Sequence, residues 1–328
     1  MPRVLVIVVN FNGRKYIGTC LDKIIGQTFQ DYTLVVVDNG STDDSAAYLK
    51  TQYSQVNLVI LPENIGFSAA NNLAIRSGCE EYVALLNADA APDSKWLQCM
   101  VEKMDAEPTA GFAASKMLYH DCPWMIDRAG DGYTVAGAGL LRGRGRPSAE
   151  FSATEFTFGA CAGAAVYKRA MLDDIGLLDE DFFLLYEDVD LSFRAQLQGY
   201  KCIYVPEAVV YHQSSKSIGY DSPTAVYYGH RNIEWAYIKN MPGGLIARTL
   251  PWHLLYNLVA FAFFSAKGMA RPYLRAKIDA VKCLRKMVQK RKGIQQTVKV
   301  SDRYIRSIMD EENFIGRLTR RQEKTEQG

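Results

Sequence analysis

Four short apolar runs in the first 90 residues, each ending in polar residues and separated by segments of helical spacing, limit most strongly how this chain can fold. Residues 3–9 (RVLVIVV) stop at Asn10-Phe11-Asn12-Gly13, and residues 32–37 (YTLVVV) stop at Asp38-Asn39-Gly40-Ser41. Residues 57–61 give way to Glu63-Asn64-Ile65-Gly66-Phe67, and Val83–Leu86 halt at Asn87-Ala88-Asp89. Such runs, without polar alternation, read as strands buried on both faces. Between them the spacing predicts helices from about Lys15 to Ile25, Asp44 to Gln52 and Ser68 to Ser77. This alternation predicts an α/β fold: a doubly wound, mostly parallel sheet with helices on both faces and right-handed crossovers. Pro92 is expected to end the fourth strand for good.

Ligands of open α/β sheets bind beyond the carboxyl ends of the strands. Asn10, Asp38 and Asp89 are therefore expected on one rim. Asp38 can accept hydrogen bonds from a base or ribose. Asp89, two residues after the Asn87 amide, can offer oxygen to a hard cation such as Mg²⁺ or Mn²⁺. On their own, Asn87 and Asp89 read first as caps of a turn and of a helix from about Asp93, ahead of a metal site. No G-x-G-x-x-G follows the first strand and no G-x-x-x-x-G-K-[ST] occurs, which argues against dinucleotide and P-loop sites.

The second half changes character. Residues 157–167 (TFGACAGAAVY) are small and apolar, which suggests backbone packed closely on a ligand or strand. Glu187, Asp188 and Asp190 lie between an aromatic run (Phe182, Phe183, Tyr186) and an amphipathic helix expected over Leu191–Gln198. An acidic helix start suits the macrodipole, but an aromatic wall would also raise a carboxylate's pKa toward that of a useful base. A strand over Tyr204–Tyr211, interrupted by Pro206, ends at His212, either a structural histidine or a ligand. The Gly-rich stretch from Gly137 to Gly145, with Arg142, Arg144 and Arg146, reads as a mobile loop, either solvated or contacting an anionic acceptor.

Charge divides the chain. The totals of 38 Lys/Arg and 36 Asp/Glu nearly balance, yet residues 267–328 hold 17 basic against 7 acidic residues, leaving 21 against 29 in 1–266. An acidic body with a basic tail points to an anionic partner. Residues 250–266 (LPWHLLYNLVAFAFFSA) are short for a spanning helix and interrupted by Pro251, His253 and Asn257. They read either as a buried helix or as an in-plane or re-entrant membrane segment. Leu274, Ile278, Val281, Leu284 and Val288 then line one face of a basic helix, the pattern of an anchor on an anionic membrane surface. No nucleic-acid recognition motif accompanies the charge. Seven cysteines without a C-x-x-C pair fit a reducing compartment. Met1-Pro2-Arg3 runs straight into a strand without a leader pattern, so the expected location is cytoplasmic, on the inner face of the cell membrane.

The motifs VVNFNG (8–13), VVDNGSTDDS (36–45), ENIGFSAANN (63–72), LLNADAAP (85–92), GAC (159–161), FFLLYEDVDLSFRAQLQGY (182–200) and VVYHQSSKS (209–217) occur in an order and spacing that resemble family 2 inverting glycosyltransferases of the GT-A fold. Within that family they resemble the rhamnosyltransferase-like branch. The resemblance implies a GT-A domain over 1–225, with a nucleotide-binding half (about 1–115) and an acceptor and catalytic half (116–225). It is followed by a basic helical extension (226–316) and a disordered tail (317–328). It further implies that Asn10, Asn12, Asp38, Asn64, Gly66, Asn71 and Asn87 bind the nucleotide sugar, and that Asp89 and His212 hold Mg²⁺ or Mn²⁺. Asp188 would be the base, supported by Glu187. Residues 227–242, with Arg231-Asn232, resemble a segment of that branch expected at the acceptor mouth. The implied reaction moves a sugar, with rhamnose from dTDP-rhamnose the first expectation, to a glycan or lipid-linked acceptor in cell-surface polysaccharide synthesis. The rival expectations are a UDP-hexose or UDP-N-acetylhexosamine donor, or a silent nucleotide- or glycan-binding relative.

Overall fold

The computed structural model describes residues 2–213 and 222–310. The tail expected over 317–328 and the Ser214–Ser217 end of the last motif lie outside the described residues.

The first half follows the predicted alternation: β1 (Val4–Asn10), α1 (Ile17–Ile25), β2 (Tyr32–Asp38), α2 (Ser45–Gln52), β3 (Asn57–Ile60), α3 (Phe67–Ser77) and β4 (Tyr82–Asn87). These strands pair in parallel in the order β3-β2-β1-β4. The register sets Asn10 opposite Asp38 and Val9 opposite Asn87, so the polar strand ends share one rim. Successive β1 side chains serve opposite faces. Val4, Val6 and Val8 pack with Ile17, Leu21 and Ile24 of α1, while Leu5 and Ile7 pack with Ala70 and Ala74 of α3. Each buried Val, Leu or Ile contributes about 1.5–3 kcal/mol, which favours an apolar interior for β1 from Val4 to Val9.

Beyond β4 the sheet is mixed. The chain continues through β5 (Ala90–Pro92), α4 (Trp96–Ala106), β6 (Ala110–Tyr119), β7 (Cys122–Ala129), β8 (Asp131–Tyr133), β9 (Gly139–Leu141), β10 (Glu155–Thr157), β11 (Ala164–Lys168), α5 (Arg169–Ile175), α6 (Glu187–Leu197) and β12 (Lys201–His212). The small-residue strand β11 runs antiparallel between β4 and β6, and β12 lies parallel to β6. Pro92 does not end strand structure as expected, because Ala90–Pro92 pairs with the carboxyl end of β12. β5 has β12 as its one strand partner, so proline's missing N–H is tolerated. β12 is continuous through Pro206, and its register shifts between Val205 and Val209 absorb the irregularity.

The stretch expected as a mobile loop is the β8–β9 hairpin and its exit, and much of it is buried. Its arginines close on the protein: Arg142 on Glu155, Arg144 on Asp127 and Arg146 on Glu150.

The C-terminal part is helical: α7 (Pro223–Asn240), α8 (Gly243–Ala266), α9 (Ala270–Lys282), α10 (Leu284–Gln296) and α11 (Asp302–Ser307). Buried charges fasten it to the sheet domain. Asp190 of α6, fully buried, accepts from Arg194, Lys239 and Asn240, and Lys239 and Lys290 both reach Asp179. Lys277 closes on Glu234 and Lys286 on Asp181, so part of the basic surplus is used internally. Among the described residues no helix is long and apolar enough to cross a membrane. One stripe of α8 (Leu245, Thr249, His253, Tyr256, Ala260, Phe264) packs inward. Its other face leaves Leu250, Trp252, Leu254, Leu255, Leu258 and Phe261 exposed.

Candidate functional site

Three groups of side chains meet the carboxyl rim. The first surrounds Asp38. Asn10 Nδ2 donates to Asp38 Oδ2 (2.8 Å) and to Ser41 Oγ (3.2 Å), and the Ser41 N–H donates to Asp38 Oδ1 (3.0 Å). Asn10 Oδ1 is buried without a hydrogen-bond partner among the described residues. Such an orphan acceptor calls for an explanation, and a ligand donor supplies one. Asn12, with φ 52°, accepts from the Thr42 N–H at 2.7 Å and so shapes the β2–α2 turn. Asn64 accepts from Asn39 and from the Gly66 N–H, folding the loop before α3. Gly66 has φ +91°, and a Cβ there would lie 2.6 Å from the Phe183 ring, so glycine is required on both counts. Asn71 is buried and donates to Phe67 O of its own helix.

The second group is assembled by β5 and β12. Their pairing sets Ala90 opposite His212, which brings Asp89 Oδ1 to 3.3 Å from His212 Nε2. The other ring nitrogen, Nδ1, lies 2.8 Å from Asp127 Oδ2, and Arg144 approaches Asp127 Oδ1 at 3.2 Å. Burial works against charge on His212, but the hydrogen bonds to Asp127 and Asp89 outweigh it and raise its pKa to about 9. Asp127 is also buried, yet His212 and Arg144 hold its carboxyl below the usual range. A carboxylate and an imidazole whose second nitrogen is fixed by another carboxylate are a donor set that would fit Mg²⁺ or Mn²⁺ once the imidazole gives up its Nε2 proton.

The third group lies at the head of α6. Contrary to expectation the helix begins at Glu187, not Leu191, and it is not amphipathic: all eleven residues are buried. Its entry passes through Phe183 (φ 64°), Leu185 (φ 67°) and Tyr186 (φ 70°), conformations that cost about 1–3 kcal/mol each. Asp188 Oδ2 accepts from the Ala162 N–H (3.2 Å) and Oδ1 from the Val189 N–H (2.8 Å). The 161–163 turn links this group to β4, since the Asn87 N–H donates to Gly163 O at 2.9 Å. The Asn87 side chain lies against Gly163, where a Cβ would come within 2.9 Å of Nδ2.

Burial first, then the charge of Asp188, raises the Glu187 carboxyl to about 8. Asp131, Cys161 and Asp188 bring their ligand atoms within 4.8 Å of one another. Burial raises Asp131 to about 6, with Arg128 opposing and Asp188 adding to the shift. It also pushes the Cys161 thiol well up, which disfavours the thiolate a soft metal would need. Arg231 and Asn232, within the segment expected at an acceptor mouth, are buried against the backbone of residues 181–185.

Asp127 and Asp131 were not among the candidates from sequence. They sit on β7 and β8: the β6–β7 pairing carries Asp127 to His212, and a bridge to Gly159 places Asp131 near the 161–163 turn.

The mixed α/β sheet with helices packed on it is a fold of the GT-A type. The sequence profile of glycosyl transferase family 2 matches residues 5–176, more than half the chain, and the chain belongs to that family; it is a glycosyltransferase. It is 23% identical over 306 residues to the N-acetylglucosaminyl-diphospho-decaprenol L-rhamnosyltransferase of Mycobacterium tuberculosis, covering 84% of this chain and 97% of that protein. An uncharacterised protein of Sinorhizobium fredii is 29% identical over 250 residues, 71% of this chain, but the match spans only 27% of that longer protein. In fold the chain is similar to a mannosyltransferase of Pyrobaculum calidifontis solved with GDP-Man and Mn²⁺. The TM-score is 0.56 and the identity 21%, over 89% of this chain and 85% of that one.

Proposed function

We propose that this glycosyltransferase performs an inverting, Mg²⁺- or Mn²⁺-dependent transfer of a sugar from a nucleoside diphosphate donor to a hydroxyl of a glycan or lipid-linked acceptor. The observation that carries the reading is the rim: Asp89 and His212 stand 3.3 Å apart just beyond Asn87, whose N–H bonds Gly163 O of the 161–163 turn, and Asp188 accepts from the Ala162 N–H of that same turn. Residues 1–115 hold the nucleotide, through Asp38 and Asn10 with the turns shaped by Asn12, Asn64, Gly66 and Asn71. Residues 116–225 supply the acceptor side. Asn87, beside Gly163, faces the donor sugar. Asp188 takes the proton from the acceptor hydroxyl as its oxygen attacks the anomeric carbon and the nucleoside diphosphate leaves from the opposite face. Glu187, buried behind it, supports its position. Asp89 and His212 hold the metal, which when bound neutralises charge on the leaving diphosphate.

For the donor, dTDP-rhamnose ranks ahead of a UDP-hexose or UDP-N-acetylhexosamine, because the relative matched along 97% of its length is an L-rhamnosyltransferase. Calorimetry with dTDP-rhamnose, UDP-glucose, UDP-galactose and UDP-N-acetylglucosamine, each with and without Mn²⁺, tests this. A metal-dependent preference for dTDP-rhamnose is expected. Preference for a UDP-sugar would reassign the donor, and binding of none would favour a silent relative.

The acceptor reading includes an anionic membrane surface, with no nucleic acid involved. The exposed face of α8 is apolar, with Trp252 52% and Leu258 66% exposed. Residues 243–278 contain no Asp or Glu, and Arg248, Lys267 and Arg271 are exposed near its two ends. Insertion of the apolar face together with attraction of these cations to anionic lipid suits peripheral binding on the inner face of the cell membrane. The chain is expected to float with vesicles containing phosphatidylglycerol, to lose this at high salt, and to lose it in the double variant Leu254→Glu, Leu258→Glu. Equal flotation of wild type and variant would remove α8 from the contact.

A further inference from the structure

Asp188 is delivered by a turn that ordinary residues resist forming, and the turn is held from another part of the chain. The Leu184 N–H donates to Phe182 O at 2.7 Å, closing a three-residue γ-turn on Phe183 (φ 64°, ψ −56°) of the rare positive-φ kind. Leu185 and Tyr186 follow in left-handed conformations, and none of the three is glycine. A backbone folded this way cannot pass its carbonyls to a helix or a sheet ladder, yet buried carbonyls need partners.

The partners for residues 181–185 can be counted. Phe183 O accepts from the Phe67 N–H at 2.7 Å. The other four are served by two adjacent residues of α7. Arg231 Nη2 donates to Asp181 O (3.1 Å) and Phe182 O (2.9 Å). Asn232 Nδ2 lies within hydrogen-bond distance of Phe182 O (3.0 Å), Leu184 O (2.9 Å) and Leu185 O (2.7 Å), so its two N–H groups can serve Leu184 O and Leu185 O while Arg231 serves Phe182 O. Arg231 also fixes which way the amide faces, because its Nε–H donates to Asn232 Oδ1 at 2.9 Å and leaves the NH₂ toward the turn. The guanidinium is itself held, 4.0 Å from the centroid of the Trp235 ring and 4.9 Å from that of Tyr228, and Tyr228 stacks on Phe183.

We propose that Arg231 and Asn232 are positioning residues for the transfer step: together they clamp the left-handed 183–186 turn and so fix the direction in which α6 presents Asp188. This rests on the assignment of Asp188 as the base. The clamp also meets the donor side, since the Phe183 carbonyl it stabilises receives the first N–H of α3, directly after Gly66. Neither residue needs to touch substrate. A displacement of about 1 Å in a reacting group can cost about 10²-fold in rate.

The test uses the full chain with Mn²⁺ and whichever sugar of the donor panel turns over. Asn232→Ala is expected to lower kcat by about 10–100-fold and to leave the calorimetric Kd of dTDP, UDP or GDP with Mn²⁺ unchanged. Arg231→Lys, which keeps the charge but cannot span two carbonyls from a stacked plane, is expected to show a smaller loss of the same kind. Leu185→Gly in the Asn232→Ala background should restore part of kcat, because glycine adopts a positive φ without strain. A general loss of stability would not be rescued at that position. Deuterium exchange of the two α7 variants should quicken over residues 181–190 and stay unchanged in β1–β4. The proposal is overturned if Asn232→Ala keeps kcat within twofold, if the loss falls on nucleotide Kd instead, or if exchange rises across the sheet with no rescue by Leu185→Gly. Exchange needs no substrate, so a wild type that turns over no donor would defeat the glycosyl-transfer reading while the clamp is still decided.

Discussion

Replacing Asp188 with Asn is expected to lower turnover by about 10²–10⁴-fold, the usual worth of a general base, while nucleoside diphosphate affinity stays within about twofold. The amide has the carboxylate's shape and its oxygen can keep the bond from the Ala162 N–H, giving up only the local bond that the other carboxylate oxygen takes from the Val189 N–H. What it loses is the capacity to take a proton. Glu187 is a poor substitute, because burial, the larger cause of its raised carboxyl pKa, persists when the Asp188 charge is removed. Initial rates at saturating donor, paired with calorimetry of the nucleoside diphosphate and Mn²⁺, separate the two effects. A variant that keeps more than a tenth of wild-type turnover would show that the proton goes elsewhere, and Asp131, in the same cluster, would be the next group to test.

How much of this site can be read from the chain depends on how local each signal is. β1, β2 and β4 are uninterrupted apolar runs that stop at Asn or Asp, so the rim bearing Asn10, Asp38 and Asn87 follows from strand periodicity and parallel register alone. His212 also ends a strand, but its approach to Asp89 depends on β5, a three-residue strand containing a proline that strand patterning rejects. Asp127 is less visible still. It is one polar residue on an irregular strand, and its meeting with His212 is decided by bulges in the β6–β7 pairing. The start of α6 was misplaced for a related reason. Acidic residues after an aromatic run give no hint of a left-handed turn, because the groups that satisfy its carbonyls lie more than 40 residues later in α7. The basic tail shows the converse error. Charge counted along the chain overstated what faces outward, since Lys277, Lys286 and Lys290 close on buried or half-buried carboxylates.

The rim also orders what should happen when metal binding is attacked one residue at a time. Asp89→Ala removes a direct donor and is expected to weaken Mn²⁺-dependent binding of a nucleoside diphosphate by at least about 100-fold, beyond the range typical of outer-shell changes. Asp127→Asn leaves both proposed donors in place but loosens the ring of His212 and removes the charge paired with Arg144, so a loss of about 10–100-fold is expected. The order follows from geometry. His212 Nδ1 is tied to Asp127 at 2.8 Å, which turns Nε2 toward Asp89 Oδ1 at 3.3 Å. With Asp89 and His212 as the two proposed protein donors, other ligands such as diphosphate oxygens would be needed to complete the shell, so metal and nucleotide should bind interdependently. Titrating Mn²⁺ by its paramagnetic resonance signal, with and without UDP or dTDP, measures both quantities without any turnover. If Asp89→Ala bound Mn²⁺ and nucleotide as tightly as wild type, the Asp89–His212 contact would be an ordinary buried ion pair and the metal would have to sit elsewhere on the rim. If Asp127→Asn proved as damaging as Asp89→Ala, the fixed ring of His212 rather than the carboxylate of Asp89 would dominate the affinity, and the arginine that holds Asp127, Arg144, would become part of the metal site's support.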